Sequence, residues 1–174
     1  MEPFGGRAPL GDVEALVRAA QRGDPRAVDE LVRELSPYVG RICGAIALDD
    51  GDDAMQEALI AVIRNLDHLR EPAAVKAWVR RIAVREAVRV SRRRPATVAD
   101  VDATARAADI DLDTALDVRA ALERLSPDQR AVLVLRDLDG LAEADVAAML
   151  HIPEGTVKSR LHRARAAFAT RWAR

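Results

Sequence analysis

The 174-residue chain has one cysteine, Cys43, so no internal disulfide can brace it. Cys43 sits among Ile42, Ala45 and Ile46 and reads as a small core residue. Aromatic residues make up only 3 %, so a core must be built mainly from Ala, Val, Leu and Ile, which suits helices better than a β-sandwich. Glycine and proline are few and spaced like punctuation between helices. No apolar run reaches the length of a membrane span, and no secretory leader is seen, so a cytoplasmic protein without membrane insertion is expected. A nucleophile with its base, metal-ligand spacing and a glycine-rich phosphate loop are also missing, so we expect no enzyme and no cofactor. Lysine is nearly absent: 25 of the 27 basic residues are Arg, the exceptions being Lys76 and Lys158. Arg offers a planar fork for phosphate or guanine, although GC-rich codon usage produces the same bias.

What is present is charge asymmetry. The net charge of −1 hides blocks: −6 over residues 1–75, +7 over 76–94, −5 over 95–117, −2 over 118–153 and +5 over 154–174. Two basic blocks separated by an acidic one suggest nucleic-acid contact.

Helical patterns fill most of the chain. A short helix ends at Gly23, and Asp24-Pro25 opens a long one as N-cap and first-turn proline, with a kink or break expected at Pro37. The "DDGDD" run reads as a turn, and Met55, Leu59, Val62, Ile63 and Leu66 then keep helical spacing. After the Arg70-Glu71-Pro72 loop, one helix runs toward Pro95. Residues 95–114 are acidic and weakly periodic, as expected of a linker, although part of it could form a short helix. "SPDQ" at 126–129 predicts a capping box, and the last two helices, joined by a tight turn at "HIP", describe a helix-turn-helix.

Three constellations stand out. On the last helix, Val157, Leu161, Ala164 and Phe168 form a narrow apolar stripe, with Lys158, Ser159, His162 and Arg163 opposite and Arg160 and Arg165 on its flanks. Outward polar groups of this kind can reach base edges, flanking arginines can hold phosphates, and the first turn around Thr156 permits close backbone approach. A solvated basic face is the bland alternative. In the first basic block, Arg81, Arg85, Arg89, Arg92 and Trp78 fall within an arc of about 80°. Trp78 is either a core residue or a stacking platform for an unpaired base. Asp53, Gln56, Glu57 and Ile60 share a third face, which is either solvated or a dock for a basic protein.

Together these features resemble a bacterial RNA polymerase sigma factor of the extracytoplasmic-function type. "DDAMQEALIAVIRNLDHL" resembles that family's polymerase-binding helix, and "AWVRRIAVREAVRVSRRR" its −10 reading helix. The stretch "ALERLSPDQRAVLVLRDLDGLAEADVAAMLHIPEGTVKSRLHRARAAF" resembles its −35 reading domain, with "IPEGTVKSRLHRAR" the most specific part. The resemblance covers roughly residues 12–94 and 115–172.

It implies an all-α fold of two small helical domains joined by a flexible acidic linker: 1–94 like sigma region 2, 95–114 the linker, and 115–174 like sigma region 4. Asp53, Gln56 and Glu57 would face core RNA polymerase. Leu69, Arg70, Lys76, Trp78, Arg81 and Arg85 would handle the −10 element, a flipped base entering the Leu69–Ala74 loop. Thr156, Lys158, Ser159, Arg160, His162, Arg163 and Arg165 would engage the −35 element. The linker would thread toward the RNA exit path. Core polymerase, promoter DNA and an anti-sigma factor are the implied partners, and a monomer is expected when unbound. The chain ends soon after the last helix, so no fused regulatory domain is expected.

Some positions depart from the family pattern. Val75 and Arg80 stand where aromatics are usual, and an Asn near Arg85 is absent. Ala142 replaces a Ser or Thr cap, a loss of about 1 kcal/mol, and His151 replaces a Gly where a left-handed residue is expected. The competing reading is a helix-turn-helix regulator that never binds polymerase. It accounts for residues 115–172 but not for the second basic helix on an acidic tether.

Overall fold

The computed structural model describes residues 10–93 and 112–172. Among them lie eight α-helices: α1 (Leu10–Gln21), α2 (Pro25–Ala47), α3 (Gly51–Arg64), α4 (Val75–Arg93), α5 (Leu112–Glu123), α6 (Pro127–Leu133), α7 (Glu143–Leu150) and α8 (Glu154–Trp172). The fold is all-α, with α1–α4 forming one bundle and α5–α8 a second, smaller group. Most of the expected linker, 95–111, lies outside the described residues. Helix α5 starts at Leu112, within the stretch expected as linker.

The α2 helix organises the first bundle. The Asp24 side chain accepts from the Arg26 and Ala27 amides, and Pro25 occupies the first turn, where its missing N–H costs nothing. Leu31, Leu35, Val39, Ile42 and Ile46 recur at three- and four-residue spacing and are buried. Pro37 does not break the helix. The carbonyl it leaves unmatched is that of Arg33, and both residues lie on an exposed face where water can satisfy it.

The "DDGDD" run forms a tight turn. Leu48 takes φ 56 to end α2, a 3₁₀ turn covers Leu48–Asp50, and α3 begins at Gly51. A β-carbon on Gly51 would sit 2.9 Å from the Gly44 Cα, so glycine lets α3 start against the backbone of α2. Helix α4 closes the bundle with Val75, Val79, Ile82, Ala83, Ala87 and Val90 inside.

In the second group, Ser126 and Gln129 form the expected capping box of α6. A wide π turn over Val134–Leu138 then delivers Asp139, whose amide bonds the Val134 carbonyl at 3.0 Å. Helix α7 leads through His151, left-handed at φ 53 and ψ 46, into α8. Without a Cβ-free residue at this cap, the turn keeps its shape because His tolerates that region better than a branched side chain. The buried apolar cluster runs from the first bundle into Ala131, Val134 and Leu135. The two groups are therefore in contact.

Candidate nucleic-acid interface

Helix α8 sorts its side chains as its sequence period requires. Val157 and Ala164 have no exposed surface and Leu161 is 4 % exposed, facing the core to which Val146 of α7 also belongs. The Phe168 side chain lies outside the described residues. Lys158, Ser159, His162 and Arg163 are exposed on the opposite side, with Gly155. Thr156 is half-buried, and its carbonyl accepts from the Ser159 hydroxyl at 3.1 Å. Arg163 donates to the Ser159 carbonyl at 3.2 Å and so stays on its own helix. Lys158 lies 3.8 Å from Glu143, a contact too long to hold it.

The flanking arginines differ. Arg165 forks onto Asp137, with contacts of 2.5 and 3.2 Å, which raises its pKa. Half-buried Arg160 reaches Asp128 at 3.3 Å. Both flanks thus already hold a carboxylate, the protein's own stand-in for a phosphate.

Helix α4 presents a second basic surface. Arg81 and Lys76 are exposed, as is Arg70 in the preceding loop. Trp78 is half-buried and packs on the core cluster, so part of its ring is spent on packing. Arg85 lies 3.2 Å from Glu86, and Arg89 binds Glu86 at 2.5 Å and Glu57 at 3.2 Å. Glu86 is 7 % exposed, a buried carboxylate held between its two arginines.

Leu69 opens the loop assigned to the −10 element. Its side chain is buried, and Gln21 donates to its carbonyl at 2.8 Å and to that of Leu66 at 2.9 Å. Leu69 therefore anchors the 69–74 loop and offers it no apolar surface. Asp53, Gln56 and Glu57 do share an exposed face of α3, where they line a groove with Ile60, Val90 and Arg93. Ile60 and Ile63 are 37 % and 40 % exposed on the same helix.

The reading of the sequence missed a set of residues between the two groups: Tyr38, Arg80, Arg130 and Asp139. Arg80 Nε donates to the Tyr38 hydroxyl at 2.8 Å and lies 2.6 Å from Asp139 Oδ2. The Tyr38 hydroxyl donates to the same oxygen at 3.0 Å. Burial, and then the Asp139 charge, push the Tyr38 phenol up to about 12. Arg130, only 6 % exposed, has its pKa lowered by burial. The one available signal was a charged residue at the head of the apolar run "RAVLVL". Cys43 is buried as expected, its thiol pushed up to about 12 by burial and, less, by Glu86.

Among the described residues no cluster could hold a metal ion, and no helix is long and apolar enough to cross a membrane. Two helical units, the second a helix-turn-helix with a basic outward row, define a DNA-binding protein of transcriptional type.

Residues 27–96 match the family described as Sigma-70 region 2, and residues 115–168 that described as Sigma-70, region 4. The chain is 38 % identical to the ECF RNA polymerase sigma factor SigM of Mycobacterium tuberculosis (strain ATCC 25618 / H37Rv), covering 95 % of this chain and 87 % of that one. It is 34 % identical to the ECF RNA polymerase sigma-E factor of Escherichia coli (strain K12), covering 88 % and 91 %. The fold matches CnrH, solved in complex with the cytosolic domain of CnrY, with a TM-score of 0.62, 24 % identity, and 91 % and 96 % coverage. It also matches RpoE of Bartonella quintana, solved with the anti-sigma factor NepR, at the same TM-score and identity, over 83 % and 96 %. The chain belongs to the extracytoplasmic-function branch of the sigma-70 family. It is a promoter-directing sigma factor of bacterial RNA polymerase.

Proposed function

We propose the following division of labour within this sigma factor. Residues 1–94 bind core polymerase and handle the −10 element, 95–114 are the tether, and 115–174 read the −35 element. The observation that carries this reading is the α8 row of Lys158, Ser159, His162 and Arg163, exposed opposite a fully buried stripe. Such a helix can enter the major groove with Lys and Arg aimed at guanine edges while Arg160 and Arg165 exchange their carboxylates for phosphates. Arg70, Lys76, Arg81 and Arg85 supply charge to the −10 strand, and the exposed part of Trp78 supplies a stacking surface. The Asp53–Gln56–Glu57 face, with Ile60 beside it, docks on the polymerase. An anti-sigma factor is the natural antagonist, since the Bartonella quintana relative was solved with one. The protein acts in the cytoplasm, as a monomer when unbound, and performs no chemistry of its own.

The test is reconstitution. Purified chain added to core polymerase should co-elute with it and support run-off transcription from a subset of a genomic fragment library. Duplex binding without any complex with core polymerase would replace this reading with that of a conventional helix-turn-helix regulator.

A further inference from the structure

One charged residue occupies a core position of the first bundle. Along α4, Val79, Ala83, Glu86 and Val90 follow one another at spacings of four, three and four, the period of a buried stripe. Glu86 is buried like the three apolar members and is the only one that carries charge. That charge reaches the interior, where it adds to the rise of the Cys43 thiol on α2. A buried ion pair is often no more stabilising than the apolar packing it replaces, so an aliphatic residue would complete this stripe without loss. Stability does not account for a carboxylate here, and such a breach of the local pattern points to function.

The contacts of Glu86 lead outward to α3. Its Oε1 accepts from Arg85 Nε at 3.2 Å, and its Oε2 accepts from Arg89 Nε at 2.5 Å. Arg89 turns its Nη2 to Glu57 Oε2 at 3.2 Å. One guanidinium is therefore shared between two carboxylates. Glu86 has the shorter contact, and Glu86 before Glu57 raises the Arg89 pKa. Glu57 is exposed and lines the α3 groove with Asp53, Gln56 and Ile60.

We propose that Glu86 is a positioning residue for polymerase docking: by engaging Arg89 it keeps that arginine from neutralising Glu57, whose carboxylate is left to the polymerase. The inference rests on the sigma-factor reading above, in which the Asp53–Gln56–Glu57 face is the dock. Arg85, Arg89, Glu57 and Glu86 balance in charge. Taking the charge from Glu86 leaves two arginines for one carboxylate, and Arg89, whose Nη2 already faces Glu57, closes on it. A docking carboxylate held by its own arginine attracts a basic partner less and must give that arginine up in order to bind.

The experiment measures the affinity of the full chain for core polymerase. Glu86→Gln keeps the size of the side chain and removes its charge, and it should bind roughly three- to fivefold more weakly than wild type, the scale of one partly exposed charge pair. Arg89→Gln removes the cation that would neutralise Glu57 and should bind at least as tightly as wild type. A merely structural Glu86 predicts the same sign for both, because each substitution removes one side of the same buried pair. Opposite signs are the signature of positioning. In a Glu57→Gln background, Glu86→Gln should have no further effect. Circular dichroism follows the folding of each variant. If Glu86→Gln loses helix, Arg89→Gln carries the test alone, and weaker binding by it overturns the proposal. Equal affinity of Glu86→Gln and wild type, a loss in both single variants, or an undiminished effect of Glu86→Gln without Glu57 overturns it as well. Normal binding by Glu57→Gln removes the docking assignment itself, and the proposal with it.

Discussion

On α8 the outward row stands in water with only helix-internal or long contacts, whereas on α4 three arginines are each within 3.2 Å of a carboxylate. Arg85 and Arg89 share Glu86, and Arg92 takes Asp128. The two helices have similar composition and opposite commitments. A charge row with no fixed partner keeps its rotamer freedom and its hydration until a ligand arrives, so binding is selective for what it meets. A charge row already paired must trade one anion for another, so its net gain is smaller and its salt dependence shallower. On the proposed division of labour, the α8 surface reads and the α4 surface holds.

The largest test of this contrast attacks the support of the reading helix. Val157→Asp places a carboxylate where there is no exposed surface and no partner. An unpaired buried charge costs about 3–5 kcal/mol, a large share of a small unit's stability. The α5–α8 group should lose its protection in hydrogen exchange while α2 and α3 keep theirs. Uniform loss through both groups would mean that they unfold as one body, and the comparison would have no meaning for stability.

The next effect separates reading from holding within α8 itself. Arg163→Ala should flatten the response to base changes at one −35 position, since a guanidinium forked onto guanine discriminates by about 1–3 kcal/mol. Arg160→Ala should weaken all sequences alike and reduce the salt slope by about one unit. Binding to a panel of single-base variants at two salt concentrations distinguishes them. Indistinguishable profiles would make α8 an electrostatic clamp like α4.

What the sequence revealed tracks the range of the interaction. Asp24 and Ser126 were legible as caps because their partners lie within three residues. The α8 stripe was legible because helical period alone decides which side is buried. The positive φ at His151 followed from its place in the turn. The Tyr38–Asp139 bond joins residues 101 apart, and no local pattern announces it. Nor does periodicity reveal the π turn, since one extra residue shifts the face without changing composition. Nor was it legible that Gln21, 45 and 48 residues away, donates to the Leu66 and Leu69 carbonyls and pulls the 69–74 loop inward. A kink or break was expected at Pro37; α2 continues through it, so the packing of its buried stripe outweighs the roughly 3 kcal/mol that an interior proline costs.

The smallest effect concerns how firmly the reading helix is carried. Helices α6 and α7 start from nearly the same backbone: Ser126 has φ −64 and ψ 155, and Ala142 has φ −65 and ψ 153. At Ser126 the hydroxyl accepts from the Gln129 amide and the Gln129 side chain returns a bond to the Ser126 amide. At Ala142 no side chain caps the helix, so the first amides of α7 rely on water. The dihedrals are already those a cap requires, so a hydroxyl can be added without moving the chain. Ala142→Ser should therefore stabilise the α5–α8 group by about 1 kcal/mol. Its third helical position is Asp145, whose short carboxylate does not close the box as Gln129 does, so the gain should fall short of the loss caused by Ser126→Ala. Urea midpoints followed through hydrogen exchange of α7 and α8 give both numbers. A gain at Ala142 equal to the loss at Ser126 would show that the reciprocal bond contributes nothing. No gain at all would mean that water already serves the α7 amides as well as a hydroxyl could.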